Sequence, residues 1–259
     1  MVMKLRVLAA TALIGPLAFG MTAVGQTAED DWEFAHDPEK KLSVAMVRYE
    51  EGTALMAQCQ AGALRLALTG LPGTSDPSRT LTVARSDGAA DVQTYDVVAQ
   101  NLLSKTWARD ARFLRTTGSV QVRTTSGASQ PFSASFELPA QHRNLDQVLT
   151  ACGYSLENDR DQLPRADEAM RLTPPPRKLT TGGRSGSSVE ISCIVQSGRL
   201  EGCRSDHHPE DFQPRSAQRE AATWNGRRVH RDDAAGNEGK VFYINSPLLT
   251  VVYTTEPLS

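Results

Sequence analysis

The chain has 259 residues, a formal net charge of −2 at pH 7 and four cysteines. This length is sufficient for one large domain or two ordinary ones. Because a surface that binds nucleic acid is strongly basic, the near-neutral charge predicts no nucleic-acid partner.

Residues 1–25 have the pattern of a secretory signal peptide. Lys4 and Arg6 form a basic start, residues 7–24 are mostly apolar, and small residues precede a cleavage point at Gln26. The alternative is an uncleaved membrane anchor, because the apolar run approaches the length of a bilayer span. We expect cleavage, export to the periplasm and no stable membrane span afterwards.

All four cysteines follow the predicted cleavage point. An even number of cysteines in an exported chain indicates disulfides, and four of them allow three connectivities. Proximity in the sequence and the division into domains favour pairing Cys59 with Cys152 and Cys193 with Cys203.

Residues 30–156 predict a β-rich domain tied by the Cys59–Cys152 bridge. Alternating apolar and polar residues predict short strands over 30–41, 42–49, 54–59, 63–68, 80–85, 119–124 and 132–138. Residues 97–107 predict a short helix, and residues 144–152 predict a second one, capped by Asn144. This spacing indicates an antiparallel sandwich-like module or a partial barrel.

Residues 157–187 predict a linker, because a run of three prolines at 174–176 is followed by a Gly/Ser-rich stretch. Proline-rich sequence is stiff and Gly/Ser-rich sequence is flexible. A rigid spacer followed by a flexible one is therefore expected between two domains.

The second domain, residues 188–255, begins with a predicted hairpin. Val189, Ile191 and Val195 alternate with polar residues, and a three-residue loop, 197–199, places Cys193 opposite Cys203. A bridge across so short a loop acts mainly to hold the register of the strands.

A helix over 214–225 and a last strand over 240–253 complete the second domain. Ala217, Ala221 and Trp224 share one side of the helix, and Pro247 marks the last strand as an edge strand. The order β-β-α-β predicts a small antiparallel sheet backed by a helix, so the whole chain is predicted to be mainly β with an α+β second domain.

The hairpin sequence VEISCIV-x-SGRLEGC, the alanine-rich helix ending in Trp224 and the final LLTVVY segment resemble the TonB C-terminal domain. The resemblance covers roughly the last third of the chain. It implies a periplasmic module that adds a peptide strand to the edge of its sheet. The ending of the first domain, Phe136 to Leu138 followed by Val148 to Cys152, resembles type VI secretion-associated, invasion-locus-like exported proteins.

His207 and His208, beside Asp206 and Cys203, form the strongest metal-like cluster. Adjacent histidines on a strand point to opposite faces, so a solvated loop end is the preferred interpretation and no metal is predicted. Residues 183–187 lack the last glycine of a nucleophile elbow, and no phosphate-binding or dinucleotide motif is present. We expect no catalytic residue and no cofactor.

The sequence thus predicts an exported, non-enzymatic binding or scaffolding protein that acts by strand addition. The expected partner is another envelope protein or a peptide segment. One alternative is a membrane-anchored, TonB-like energy transducer, which requires the N-terminus to remain as an anchor. The other is a periplasmic hydrolase whose residues converge only in the folded chain.

Overall fold

The computed structural model describes residues 30–49, 52–125, 128, 130–173, 187–205, 207 and 214–248. The predicted signal peptide, the proline and glycine runs of the predicted linker, and the end of the last predicted strand lie outside these residues. Within the described ranges, no helix combines the length and the apolar character needed to cross a bilayer.

The strands are β1 Glu33–Asp37, β2 Leu42–Arg48, β3 Ala54–Gln60, β4 Ala63–Thr69, β5 Ser78–Arg85, β6 Ala90–Val98, β7 Asn101–Ser104, β8 Gly118–Thr124, β9 Ser133–Leu138, β10 Leu172–Thr173, β11 Ser187–Gln196, β12 Arg199–Arg204, β13 Arg228–Val229 and β14 Val241–Leu248. The helices are α1 Trp107–Phe113, α2 Arg143–Ala151, α3 Pro214–Ala222 and α4 Arg231–Asn237.

The predicted mainly-β, α+β class is confirmed. Nine antiparallel strands form one continuous sheet in the order β1-β2-β3-β4-β7-β6-β5-β8-β9. Its two ends meet at one corner, where the Tyr49 hydroxyl donates to the Glu137 carbonyl at 3.0 Å and the Gln141 amide donates to the Asp30 carbonyl at 2.7 Å. The first domain is therefore a strongly curved sheet around a single core.

Alternation along the strands builds this core. Each strand turns one side chain in two inward, and most of the inward positions are apolar. The largest fully buried hydrophobic side chains here are Trp32, Leu55, Leu64, Leu66, Leu68, Leu81, Tyr95, Leu145 and Leu149. The predicted Cys59–Cys152 disulfide is present and ties β3 to the end of α2.

The predicted helix over 97–107 is wrong. Residues 97–104 instead complete β6, turn and form β7, and the first helix begins only at Trp107. The turn residues Ala99 and Gln100 have φ of 48° and 68°, which ends the strand abruptly. The apolar spacing of Val98 and Leu102 matches a helix turn, but tertiary pairing with β4 and β6 decides the outcome.

The helix cap predicted at Asn144 is also displaced. The N-cap of α2 is His142, and Asn144 lies inside the helix. Its buried side-chain amide donates to the Trp32 carbonyl at 2.6 Å. Asn144 therefore bonds the main chain that leads into β1 and does not cap its own helix.

The second sheet has the order β10-β13-β12-β11-β14. β11 lies between β12 and β14 and is buried on both faces: Val189 and Ile191 belong to the apolar core, and Glu190 and Ser192 on the opposite face are also buried. Helix α3 covers the apolar face, with Ala217 and Ala221 in the core.

The hairpin turn differs from the predicted three-residue loop. Gln196 pairs directly with Arg199, so the loop has two residues, Ser197 and Gly198, both with positive φ of 52° and 69°. Such turns match the right-handed twist of the flanking strands. A bulge then places Gly202 and Cys203 opposite Cys193, and this restores the register of the predicted disulfide, which is present.

The predicted linker boundary at 157 does not coincide with the end of packed structure. Residues 159–162 form a 3-10 turn, and Arg160, Ala166 and Met170 are buried. We call residues 155–166 the connector. It lies between the two sheets. The polar stretch after α3 contains β13 and α4.

Candidate interaction site at the edge of the last strand

β14 is the end strand of the second sheet, and it pairs on one side with β11 over its full length. Pro247 lies within it, as expected for an edge strand. A proline is tolerated there because its missing N–H would otherwise point away from the sheet.

The connector occupies the beginning of the other side of β14. The Val241 amide donates to the Pro164 carbonyl at 2.9 Å, and the Ala166 amide donates to the Val241 carbonyl at 2.8 Å. Arg165 and Val241 thus form a parallel bridge. Main-chain groups alternate in direction along a strand, so those of Tyr243 and Asn245 also point to this outer side.

The connector leaves the edge immediately after this bridge. The Asp167 amide donates to the Asn237 side chain at 2.8 Å, which directs the chain back towards α4. Among the described residues, no strand pairs with β14 at Tyr243 and Asn245 on the outer side. An edge with unpaired main-chain groups is a template for another strand.

A cavity of about 220 Å³ lies beside this open part of the edge. It is lined by Lys105, Thr106, Arg165, Ala166, Glu168, Val241, Phe242, Tyr243 and Asn245. The Asn245 side-chain amide donates to the Lys105 carbonyl at 2.6 Å, which fixes the distance between the edge and the first domain.

Buried charged side chains lie next to this edge of β14. The Arg165 guanidinium bonds Asp91 at 2.6 Å and also contacts Asp110 and the Thr106 hydroxyl. Burial raises the pKa of the Asp110 carboxyl, which Arg165 and the Ser104 hydroxyl partly offset. Burial likewise raises the pKa of the Tyr243 phenol.

Two arginines of α1, Arg109 and Arg112, and Arg115 just after it hold the connector by its main chain. Arg109 donates to the Leu163 carbonyl at 2.9 Å, and Arg115 donates to the Leu156 carbonyl at 2.5 Å. Arg112 donates to the Ser155 carbonyl at 3.4 Å and pairs with the Asp161 carboxylate. Residues three apart share a helix face, so Arg109 and Arg112 lie on one side of α1, and Arg115, just past its end, bonds the same connector.

Two connector arginines extend the network in opposite directions. Arg160 donates to the Ser192 hydroxyl at 2.9 Å and to the carbonyls of Ser192 and Gly202 in the second sheet. Arg165 points to Asp91 and Asp110 in the first domain. The connector is therefore bonded to both domains, and the edge of β14 is held in one position.

A larger cavity of about 1070 Å³ lies between α1, the β5–β6 hairpin and the connector. Its arginines are Arg85, Arg109, Arg112, Arg115 and Arg165. Each already donates to a carboxylate or a main-chain carbonyl, as Arg85 does to Asp87 and to the Phe113 carbonyl. This cavity is consequently a joint between domains and is a weaker candidate for binding an anion.

The predicted solvated position of His207 is wrong. His207 is buried, its ring stacks on Tyr154 with centroids 4.4 Å apart, and its Nε2–H donates to the Gly62 carbonyl at 3.0 Å. It therefore joins the second domain to the β3–β4 turn. Asp206 and His208 lie outside the described residues, and in the described part no three metal-binding side chains converge.

Sequence patterns locate the edge strand through Pro247, but they miss the connector. Its charged residues have the composition of a solvated linker, and burial depends on partners that are distant in sequence. The available signal is the spacing of Arg109, Arg112 and Arg115, three cations at intervals of three residues, in a stretch where the sequence patterns predict no helix.

Comparison of the chain with protein-family models, with curated proteins and with solved structures finds no match.

Proposed function

We propose that this protein is an exported, non-enzymatic binding or scaffolding protein that captures an extended segment of another envelope protein by strand addition to β14. The observation that carries the proposal is the Arg165–Val241 bridge. The chain's own connector uses the outer edge at that residue and leaves the next outward groups, at Tyr243 and Asn245, without a described strand. A partner segment would continue the pairing from there.

Two further features support this function. The two disulfides suit an oxidising compartment, and we assign the protein to the periplasm on the signal-peptide pattern. The resemblance of residues 188–255 to the TonB C-terminal domain implies the same mode of binding. Main-chain hydrogen bonds would supply affinity, and cavities for alternate side chains would supply specificity.

The test replaces one outward N–H. Asn245→Pro removes the amide that faces the outer edge, and it leaves the ladder bonds to β11 intact because those come from neighbouring residues. We expect extended peptides selected against the wild-type chain from a phage-displayed library to lose binding to Asn245→Pro by at least tenfold.

Asn245→Ala is the matched control, because it loses the same side chain and keeps the N–H. Peptides should bind this variant nearly as well as the wild type. Circular dichroism establishes that both variants are folded. Equal binding to Asn245→Pro and Asn245→Ala, or a selection that enriches no peptide, would refute strand addition at this edge.

A further inference from the structure

The side chains of a strand added to β14 would enter two different environments. Residues opposite Tyr243 and Asn245 would share the face on which those side chains lie, because paired residues in a sheet point to the same side. That face is turned towards the first domain, and the cavity of about 220 Å³ lies on it. One side chain of the partner would therefore enter this cavity.

Arg165 of the connector shows which kind of side chain that face binds. Arg165 lies opposite Val241 at the start of the edge, and its guanidinium is buried against the carboxylates of Asp91 and Asp110. The first residue that this chain itself adds to the edge is thus basic, and it is satisfied by acidic groups of the first domain. The next position on the same face lies opposite Tyr243.

The acidic groups around that next position exceed the basic ones. Lys105 lies between Asp96 and Glu168, with its Nζ 3.4 Å and 3.7 Å from their carboxylate oxygens. Both distances exceed those of an ordinary hydrogen bond, and one cation faces two carboxylates. The adjacent group is balanced, since Arg109 and Arg165 face Asp91 and Asp110.

Glu168 is the carboxylate that lines the cavity, and its side chain is 34% exposed. Burial raises the pKa of Glu168 despite the nearby Lys105. A second cation at this point would complete the charge balance and stabilise the ionised form.

We propose that the partner strand carries a lysine or arginine whose side chain enters this cavity and pairs with Glu168. This inference rests on the proposed strand addition and specifies its partner: an extended segment with a basic residue at the position opposite Tyr243 or Asn245. The apolar part of such a side chain would lie along the Tyr243 ring, and its charged end would reach the carboxylate.

The experiment uses three synthetic peptides of alternating threonine and valine that differ only at a central residue: lysine, norleucine or glutamate. Their binding to the full chain is measured by fluorescence anisotropy. We expect the lysine peptide to bind about tenfold more tightly than the norleucine peptide, the difference that one charge-assisted contact supplies.

The preference for lysine should disappear in Glu168→Gln and persist in Glu201→Gln, which removes a carboxylate from β12 on the other side of β11. Equal binding of the lysine and norleucine peptides, or tightest binding of the glutamate peptide, would overturn the inference. If those peptides still required the Asn245 N–H, strand addition itself would stand. If every variant, including Asn245→Pro, bound the peptides as well as the wild type does, both proposals would be refuted.

Discussion

At the scale of single residues, buried arginines make the bonds that join separate segments of this protein. Each guanidinium offers five donors in a fixed plane, so one side chain can bond carbonyls and carboxylates of separate segments at once. Arg165 is the clearest case, because its side chain is 9% exposed and its partner Asp110 is fully buried. Arg165 therefore neutralises a buried carboxylate that solvent does not reach.

Arg165→Ala should destabilise the fold by about 3–5 kcal/mol, because it leaves the Asp110 carboxylate buried without its cation. Urea denaturation measures this change. Arg48→Ala is the comparison, since Arg48 pairs with Glu33 at 3.5 Å while both side chains are largely exposed, and its loss should cost less than about 1 kcal/mol. Similar costs for both variants would contradict the assigned role of Arg165.

At the scale of elements, the two disulfides stabilise the fold to different extents. Cys59 and Cys152 are 93 residues apart, and Cys193 and Cys203 are 10 apart. In the chain-entropy account, the long loop contributes about 4–5 kcal/mol and the short one about 2.5–3 kcal/mol.

Replacing each pair by alanine tests this ranking by chemical denaturation. The variant without Cys59–Cys152 should lose more stability, and the variant without Cys193–Cys203 should remain folded with its bulged hairpin. The opposite order would show that strain or residual structure, rather than loop length, governs the effect.

The elements also show how far sequence patterns reach. Most strands of the first domain, α2, α3 and both disulfides follow from alternation, helical spacing and cysteine positions. The sequence patterns do not predict β6, because it contains Asp91 and Asp96 and because Gln93 occupies an inward, buried position where an apolar residue is expected. Its place is fixed by pairing with β5 and β7, which local spacing does not encode.

The candidate site, too, can be predicted only in part from the sequence. Pro247 indicates an edge strand from the sequence alone, because a central strand would lose a ladder bond there. The cavity, the bridge to Arg165 and the position of Glu168 depend on how the first domain meets the second. Those contacts join residues more than 50 positions apart, so no local pattern predicts them.

At the scale of the whole molecule, the arginine network predicts that both domains unfold together. Arg160→Ala removes the contacts from the connector to Ser192 and Gly202, and it should split the single calorimetric transition into two. Arg79→Ala is the control: this buried arginine also bonds two carbonyls, those of Pro72 and Gly73, but within the first domain.

The control should lower the transition temperature while leaving one transition. Two transitions in the wild-type chain would mean that the connector does not couple the domains, whereas one transition in Arg160→Ala would place the coupling in other contacts, such as that between His207 and Gly62.

The way these arginines hold the connector affects which residues could change as the sequence diverges. Arg109, Arg112 and Arg115 bond main-chain carbonyls, which every amino acid supplies, at Ser155, Leu156 and Leu163. Substitutions among those three connector residues therefore leave these bonds in place, whereas each of the arginines is needed for its own bond. A distant descendant of this chain would be recognised by three arginines spaced three apart, two on a short helix and one just after it, beside a connector whose side chains have changed.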